Sequence, residues 1–415
     1  MTYIEFFDRT SVENICACLT MAPNEVIFVG DNKSAMEKHI ESYRKVFSGR
    51  GQDISFSYRS VSRWDTGQVV QVLDEIIQSR EECAFGITGG DEIVVFALGM
   101  ICERYAEKMK ENKIQVHRFS IQNNSVYDCD IDGEKINTYI PELSVEENIQ
   151  IYGGDINVDP ENTNNKYKWD MTTDFEKEIE TMWSICKVAP RAWNKQIGVF
   201  GTVAEIGVHS ADGLTIMAEM SDIMNYYSGK HNAHYSKNST IIGKLIANGL
   251  IASFNDGDNK IVIRFKNLQV KKCLTQAGLI LEMKIYKTAR ALPGVKEKPL
   301  YNDVMNGVEI DWDGVVKEYD TVNEIDVIMM HNMIPVFVSC KNGSFTAEEL
   351  YKLNTVAERF GSKYAKKILV ASQLSDEEPD KFLKQRAKDM QIQIITGDDL
   401  MNDRKLQKRL ANAWL

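Results

Sequence analysis

The sequence predicts an α/β protein built in three parts. A parallel sheet with helices on both faces comes first, a winged-helix-like unit follows, and a compact α/β/α unit closes the chain. Three observations carry this. The first third alternates apolar strands with amphipathic helices. The middle runs from a helix through Asn248-Gly249-Leu250-Ile251 into a hairpin. The last third pairs two apolar runs and then repeats helix and strand. At 415 residues the chain also exceeds what one core ordinarily serves.

In order, Val26–Gly30 reads as a buried strand, and Met36, Ile40, Tyr43 and Phe47 mark the helix after it. Ile54–Tyr58 is the next strand, followed by a helix on Val69, Val72, Leu73 and Ile76, a strand at Cys83–Ile87, a helix from Val94 to Ile101 and a strand at Ile114–Phe119. Such alternation builds a parallel sheet whose ligands bind at the carboxyl ends of its strands. Gly153-Gly154 and the polar run Asp159–Asn165 predict a loop or boundary, which sets a first domain at 1–160. A long helix from near Thr173, with Phe175, Ile179, Met182, Trp183 and Cys186 on one stripe, is expected to end at Pro190. Ile241, Ile242, Leu245 and Ile246 form a further helix, and Phe254–Lys260 a turn between strands, so 161–267 is a helical and winged-helix-like linker. The third domain, 268–415, opens with one helix carrying Leu274, Gly278, Leu281, Glu282 and Ile285. A hairpin about Asp326 and Lys341, a helix on Leu350, Leu353, Val356 and Phe360, strands at Ile368–Ala371 and Ile392–Ile395 and a last helix complete it.

Composition narrows the function classes. The chain is 43% hydrophobic and 26% charged, as soluble globular proteins are. No apolar run reaches the length of a membrane span, and the N-terminus lacks a basic and apolar leader, so a cytoplasmic protein with no membrane partner is expected. A net charge of −11 disfavours a broad duplex-binding surface, so any nucleic-acid site must be local. The eight cysteines show no metal spacing and read as buried thiols. His231 and His234 lack a nearby third ligand, and the other histidines are scattered.

The chemistry concentrates in the last third. Period-two alternation puts Glu324, Asp326 and Ile328 on one face of a strand, and Phe337, Ser339 and Lys341 on one face of the next, with His331–Pro335 as the turn. Asp326, Ser339 and Lys341 can therefore share a surface. Glu282 points inward from an apolar helical stripe, which is costly unless the carboxylate is paired or binds a metal. Hard oxygens of this kind suit Mg²⁺ or Mn²⁺, and a metal-activated water attacking phosphorus would be the chemistry. An ordinary ion pair between Asp326 and Lys341 accounts for the spacing equally well.

Two glycine-bearing turns follow strands in the first third, Gly30-Asp31-Asn32 and Thr88-Gly89-Gly90-Asp91-Glu92. Neither matches a dinucleotide-binding or Walker motif. Small residues there let a ligand approach the backbone, and the acids can accept hydrogen bonds from adenine or ribose. Asp31 and Asp91 can also simply cap the helices that follow.

Glu282, Asp326 and Ser339-Cys340-Lys341, on helix, strand and strand, resemble the PD-(D/E)xK restriction-endonuclease-like fold. More closely, the stretches EFFDRTSVENICACL, VIFVGDN, ITGGDEIVVFALG and NEIDV…PVFVSCKNG resemble the CRISPR-associated Rossmann-fold (CARF) nucleases, type III CRISPR ancillary effectors related to the domain family of unknown function 1887. The resemblance implies an N-terminal sensor that binds cyclic oligoadenylate, with cyclic tetra-adenylate as the expected ring, across a homodimer. It implies a C-terminal nuclease acting on single-stranded RNA or DNA and nicking supercoiled duplex. By this analogy Asp326 binds Mn²⁺ or Mg²⁺, Lys341 orients the attacking water, Glu282 supports the metal and the Cys340 carbonyl is a ligand. The loops Gly30–Asn32 and Thr88–Glu92 become the activator site. Ser339 stands where the motif usually has a second acid, and Glu282 or Glu324 would have to compensate.

Two other readings compete: a ligand-sensing DNA-binding regulator acting through the winged helix, with Lys237, Lys244, Lys260 and Arg264 on phosphates, and an unregulated repair nuclease. Lys363, Lys366, Lys367, Lys381, Lys384 and Arg386 bring positive charge near the nuclease motif and are candidates for tracking a single strand.

Overall fold

The computed structural model describes residues 1–129, 135–137, 141–156, 168–229, 235–315, 322–374, 377 and 380–415. The polar run 159–165, the boundary at 160/161 and the pair His231 and His234 lie outside the described residues. Three sheets organise the chain. The first contains β1 (Thr2–Phe6), β2 (Glu25–Gly30), β3 (Ser55–Ser60), β4 (Cys83–Gly86), β5 (Ile114–Ser120), β6 (Ser125–Asp128) and β7 (Lys135–Asn137), in the order β3-β2-β1-β4-β5-β6-β7. Strands β1 to β5 are parallel, while β6 and β7 return antiparallel. The strand order reverses direction between β1 and β4, which places a crevice outside their carboxyl ends. Val69, Leu73, Ile76, Val94, Ala97 and Ile101 cover one face from the helices Thr66–Gln78 and Glu92–Arg104. Met36, Ile40, Tyr43 and Phe47 of the helix Lys33–Gly49 cover the other.

The second sheet is β8 (Val208–His209), β9 (Thr215–Glu219), β10 (Ile251–Asn255) and β11 (Lys260–Phe265), antiparallel, in the order β10-β11-β9-β8. The helix Ser239–Ala247 precedes the β10–β11 hairpin, and Asp258 and Asn259 take positive φ in its turn. The stripe of Phe175, Ile179, Met182, Trp183 and Cys186 is buried as expected, but its helix stops at Cys186. Pro190 does not end that helix; it opens another, Pro190–Ile206, where its missing N–H costs nothing at the first turn.

The third sheet is β12 (Asp303–Asp311), β13 (Val322–His331), β14 (Ile334–Lys341), β15 (Lys366–Ala371) and β16 (Ile392–Ile395), in that spatial order. The β12–β13–β14 portion is antiparallel, β15 and β16 are parallel to β14, and Asn332 at φ 58° forms the tight β13–β14 turn. Ile328, Phe337 and Leu369 pack on Leu350, Leu353, Val356 and Phe360 of the helix Ala347–Gly361. Val327, Val336, Val338 and Ile368 pack in a second core with Ile280, Met283 and Ile285. The single helix expected over Leu274 to Ile285 is two, Leu268–Thr275 and Leu279–Arg290, broken at Gln276–Gly278.

The first apolar core does not stop at the sheet that begins it. It runs from Tyr3 and Phe28 through Ile149 and Ile151 to Ile328, Phe337 and Phe360. The helix Val145–Ile151 lies on this path, capped by a reciprocal Ser144–Glu147 box. Its Asn148 side chain donates to the Phe360 carbonyl at 2.8 Å. Beyond it Asp155 forms a β-bridge with Asp311 of β12.

Candidate active site and sensor loops

At the mouth of the β13–β14 hairpin the ladder ends at the Val327–Val338 pair. Asp326 turns its carboxylate toward β14, where Oδ2 accepts from the Cys340 backbone N–H at 2.5 Å and the Ser339 hydroxyl at 3.3 Å. These donors favour the ionised form, yet burial dominates and holds the Asp326 carboxyl above its usual range. Lys341 is bound elsewhere: its Nζ lies 2.9 Å from Glu349 Oε2, in the first turn of the helix Ala347–Gly361. Burial pulls this ammonium down, but Glu349 and Asp326 together leave it above its ordinary value. The close partner of Lys341 is thus Glu349, a residue the motif spacing gave no reason to select.

Glu282 sits in the first turn of Leu279–Arg290, so its carboxyl faces the same point from the opposite side of the sheet edge. Burial, then Asp326, then Glu324 push it up to about 8. Glu324 is raised as well, first by burial and then by Asp326. Asn306 of β12 ties the group together. Its Nδ2 donates to the Asp326 carbonyl at 2.9 Å and lies 3.4 Å from Glu282 Oε2, while its Oδ1 accepts from Trp169 Nε1 at 3.1 Å. Glu282, Glu324, Asn306, Trp169 and Lys272 line a cavity of about 130 Å³ here. The Cys340 thiol is buried, and burial pushes it far above the usual thiol range.

The loops of the first third lie where the strand order placed them. Asn32 and Asp91 do cap helices, accepting from Ala35 N and Ile93 N. Asp31 does not; Arg63 bridges it, at 3.8 Å, to Asp91, at 2.7 Å. Glu92 lines the adjoining depression with Arg63, Trp64 and Phe96. The glycines leave room for neighbours: a Cβ on Gly90, whose φ is +101°, would lie 2.4 Å from the Phe6 Cβ, and one on Gly89 2.6 Å from the Asp8 Cβ. Gly30 is similarly close to Phe7. Thr88 accepts from Phe119 N at 2.9 Å and faces a separate cavity of about 780 Å³, lined also by Glu13, Arg118, Tyr127, Lys363 and Tyr364. Asp8, which accepts from Gly90 N at 3.3 Å, completes this corner from the end of β1.

Several basic residues singled out in the sequence are committed elsewhere. Lys237 pairs with Asp256 and Arg264 with Asp212 on the winged-helix-like unit. Lys363 pairs with Glu13, Lys366 donates to the Leu415 carbonyl, and Lys367 donates to Asn354.

Residues 271–413 match the family model described as Card1-like, endonuclease domain, and the match contains every residue of the Glu282, Asp326, Ser339 and Lys341 group. This part of the chain is similar to Card1-like endonuclease domains. No curated protein matches the chain in sequence. Among solved structures, protein VC1899 from Vibrio cholerae aligns over 99% of both chains at 15% identity with a TM-score of 0.73. Can2 from Sulfobacillus thermosulfidooxidans, determined in complex with cyclic tetra-adenylate, aligns over 99% of both chains at 15% identity with a TM-score of 0.65. The chain therefore shares its whole fold with these two proteins. Among the described residues no helix is long and apolar enough to cross a membrane.

Within residues 271–413, buried carboxylates make up the donor set open to a divalent cation. Among the described residues no three His, Cys, Asp or Glu side chains are arranged to hold a metal ion. Burial raises the carboxyls of both Glu282 and Asp326, and Asp326 raises Glu282 further, so a bound cation would favour their ionised forms. Mg²⁺ commonly takes only one or two carboxylates and completes its shell with water and substrate phosphate. The residues present fit that pattern.

Proposed function

We propose that the chain is an endonuclease of type III CRISPR antiviral defence, activated by cyclic oligoadenylate, dependent on Mn²⁺ or Mg²⁺, and acting as a homodimer on single strands of RNA or DNA. The observation that carries this reading is the convergence of Glu282, Asp326 and Lys341 inside the Card1-like endonuclease domain. Glu282 and Asp326 would hold the cation, with the Cys340 carbonyl beside them. The cation, when bound, supplies charge neutralisation at phosphorus and a more acidic water. The protein does the rest. Ser339 and the Cys340 N–H fix one oxygen of Asp326, which would leave the other for the cation. Glu349 steers Lys341 without neutralising it fully, leaving donors for the scissile phosphate and for the attacking water.

The activator reading has separate support. The neighbour from Sulfobacillus thermosulfidooxidans holds cyclic tetra-adenylate in the same fold, and the loops Gly30–Asn32 and Thr88–Glu92 lie at the strand ends where such sheets bind ligands. Arg63 would answer a phosphate there, and Asp31 and Asp91 would answer adenine or ribose. For the dimer, Phe96 is 65% exposed and Trp64 85% exposed beside these loops, with Val95 and Met100 on the same helix. Such a patch marks an interaction surface.

The test is cleavage of labelled single-stranded RNA and DNA by purified protein with Mn²⁺, with and without cyclic tetra-adenylate. Activator-dependent cutting that Lys341→Ala reduces by at least about 100-fold is expected. Equal cutting in both lanes would sink the activator reading, and cutting that survives Lys341→Ala would sink the site.

A further inference from the structure

Two depressions meet at Asn306. One is the small cavity holding Glu282 and Glu324. The other is a groove of about 520 Å³ lined by Lys168, Trp169, Tyr286, Arg290 and the β12 residues Asp303–Asn306, a volume that accommodates a ligand of nucleotide size. Trp169 and Asn306 belong to both. The groove is made of rings under cations. Lys272 Nζ lies 5.4 Å from the Trp169 ring centre, and the Arg290 guanidinium lies 5.4 Å from that of Tyr286. Trp169 is fixed from two sides, stacked on Phe175 at 5.5 Å and 8° and anchored through Nε1 to Asn306. The acid in the groove, Asp303, already accepts from the Val145 N–H at 2.7 Å. On a chain of net charge −11, a groove with this balance that opens onto the carboxylate pair is set apart from the rest of the surface.

We propose that this groove seats the substrate strand as it enters the endonuclease site, with an unpaired base stacked on Tyr286 or Trp169 and its flanking phosphates on Arg290 and Lys168. The proposal rests on the nuclease reading above and adds to it where the strand lies and why it must be single. A base can reach an aromatic face only when it is free of a partner, and stacking on such platforms tolerates any sequence. Rigid rings make a better platform than mobile ones, because little freedom is lost when the base arrives. The lysines Lys363, Lys366 and Lys367, by contrast, are engaged elsewhere.

Binding can be read without cutting in an Asp326→Asn background, by fluorescence anisotropy of short labelled RNA and DNA single strands and of a duplex control. Adding Tyr286→Ala is expected to weaken single-strand binding about tenfold, and Tyr286→Phe, which keeps the ring, to restore it. Arg290→Ala should lower the slope of log affinity against log salt by about 1. Thermal melting of each variant checks folding, and exposed Arg290 supplies a second route should Tyr286→Ala melt early. Unchanged single-strand affinity in both variants, or equal losses on the duplex, would overturn the groove. Absence of cleavage by the unmodified protein, with groove variants still weakened, would instead overturn the nuclease reading and leave the groove standing.

Discussion

Asp326 takes a backbone N–H that an uninterrupted ladder would give to a carbonyl, and this is why the hairpin opens at its mouth. Its facing acid, Glu282, is raised into the range where ordinary changes of pH decide its charge. A carboxyl raised from 4.5 to about 8 keeps its proton in the folded chain after the unfolded chain has lost it. The native state then binds more protons, so stability in metal-free buffer falls as pH rises from about 5 to 8, by at most about 1.4 kcal/mol per pH unit for one such group. Glu282→Gln is expected to flatten that slope, and Mn²⁺ to stabilise the parent more at pH 8 than at pH 6, both measured by denaturant unfolding. Ser339→Asp would restore the acid the motif usually has. It should tighten Mn²⁺ binding by titration calorimetry while lowering the metal-free melting temperature, since a third acid would then crowd Asp326. Glu282, Asp326, Ser339 and Lys341 are legible in the sequence because alternation and a helical stripe aim them at one place. Asn306, Glu349, Arg63 and Asp8 are not: Asn306, Arg63 and Asp8 reach their sites from other elements, and Glu349, though in the helix just after Lys341, is one of several acids there that no local period singles out.

Strand β1 is the middle of the five parallel strands of the first sheet, yet its residues include Glu5, buried to 1% exposure with its carboxyl held well above the usual range by that burial, so its apolar signal is broken. Strand β12 hides behind Asn306-Gly307, a dipeptide that ordinarily signals a turn; here Gly307 takes φ +60° inside an edge strand and brings Asn306 to the carboxylates. The parallel strands β2 to β5, the hairpin and the long amphipathic helices are legible, since each has a strong period and ends on a clear cap. Helix Val145–Ile151 is short and leaves little pattern, although it packs on the helix Lys33–Gly49 on one side and on β12 and β13 on the other. Ser144→Ala removes its capping box and should cost about 1 kcal/mol, read as a lower unfolding midpoint. Gly154→Ala should cost more, because a Cβ there would lie 2.5 Å from the Phe360 ring and 2.8 Å from the Asp311 carbonyl.

At the scale of the molecule, the first and third parts of the chain touch through polar as well as apolar groups. Buried Glu13, just after β1, accepts from Lys363 at 2.9 Å and from the Tyr364 hydroxyl at 2.7 Å, beside Thr88 in the cavity of about 780 Å³. If the activator works through this corner, Lys363→Ala with Tyr364→Phe should narrow the ratio of cleavage with and without cyclic tetra-adenylate by about 5-fold or more, within the usual range of coupling energies. An unchanged ratio across a full activator titration would remove the corner from the path of coupling. The apolar core that runs unbroken from Tyr3 to Phe360 has a further consequence. A protein so joined cannot be shuffled like beads on a string: a severed C-terminal fragment would bare the face that Ile149 and Ile151 cover and would clump. Exchanging the first part of the chain between proteins of this fold would succeed only where the graft carries residues 141–156 together with the sheet edge they grip.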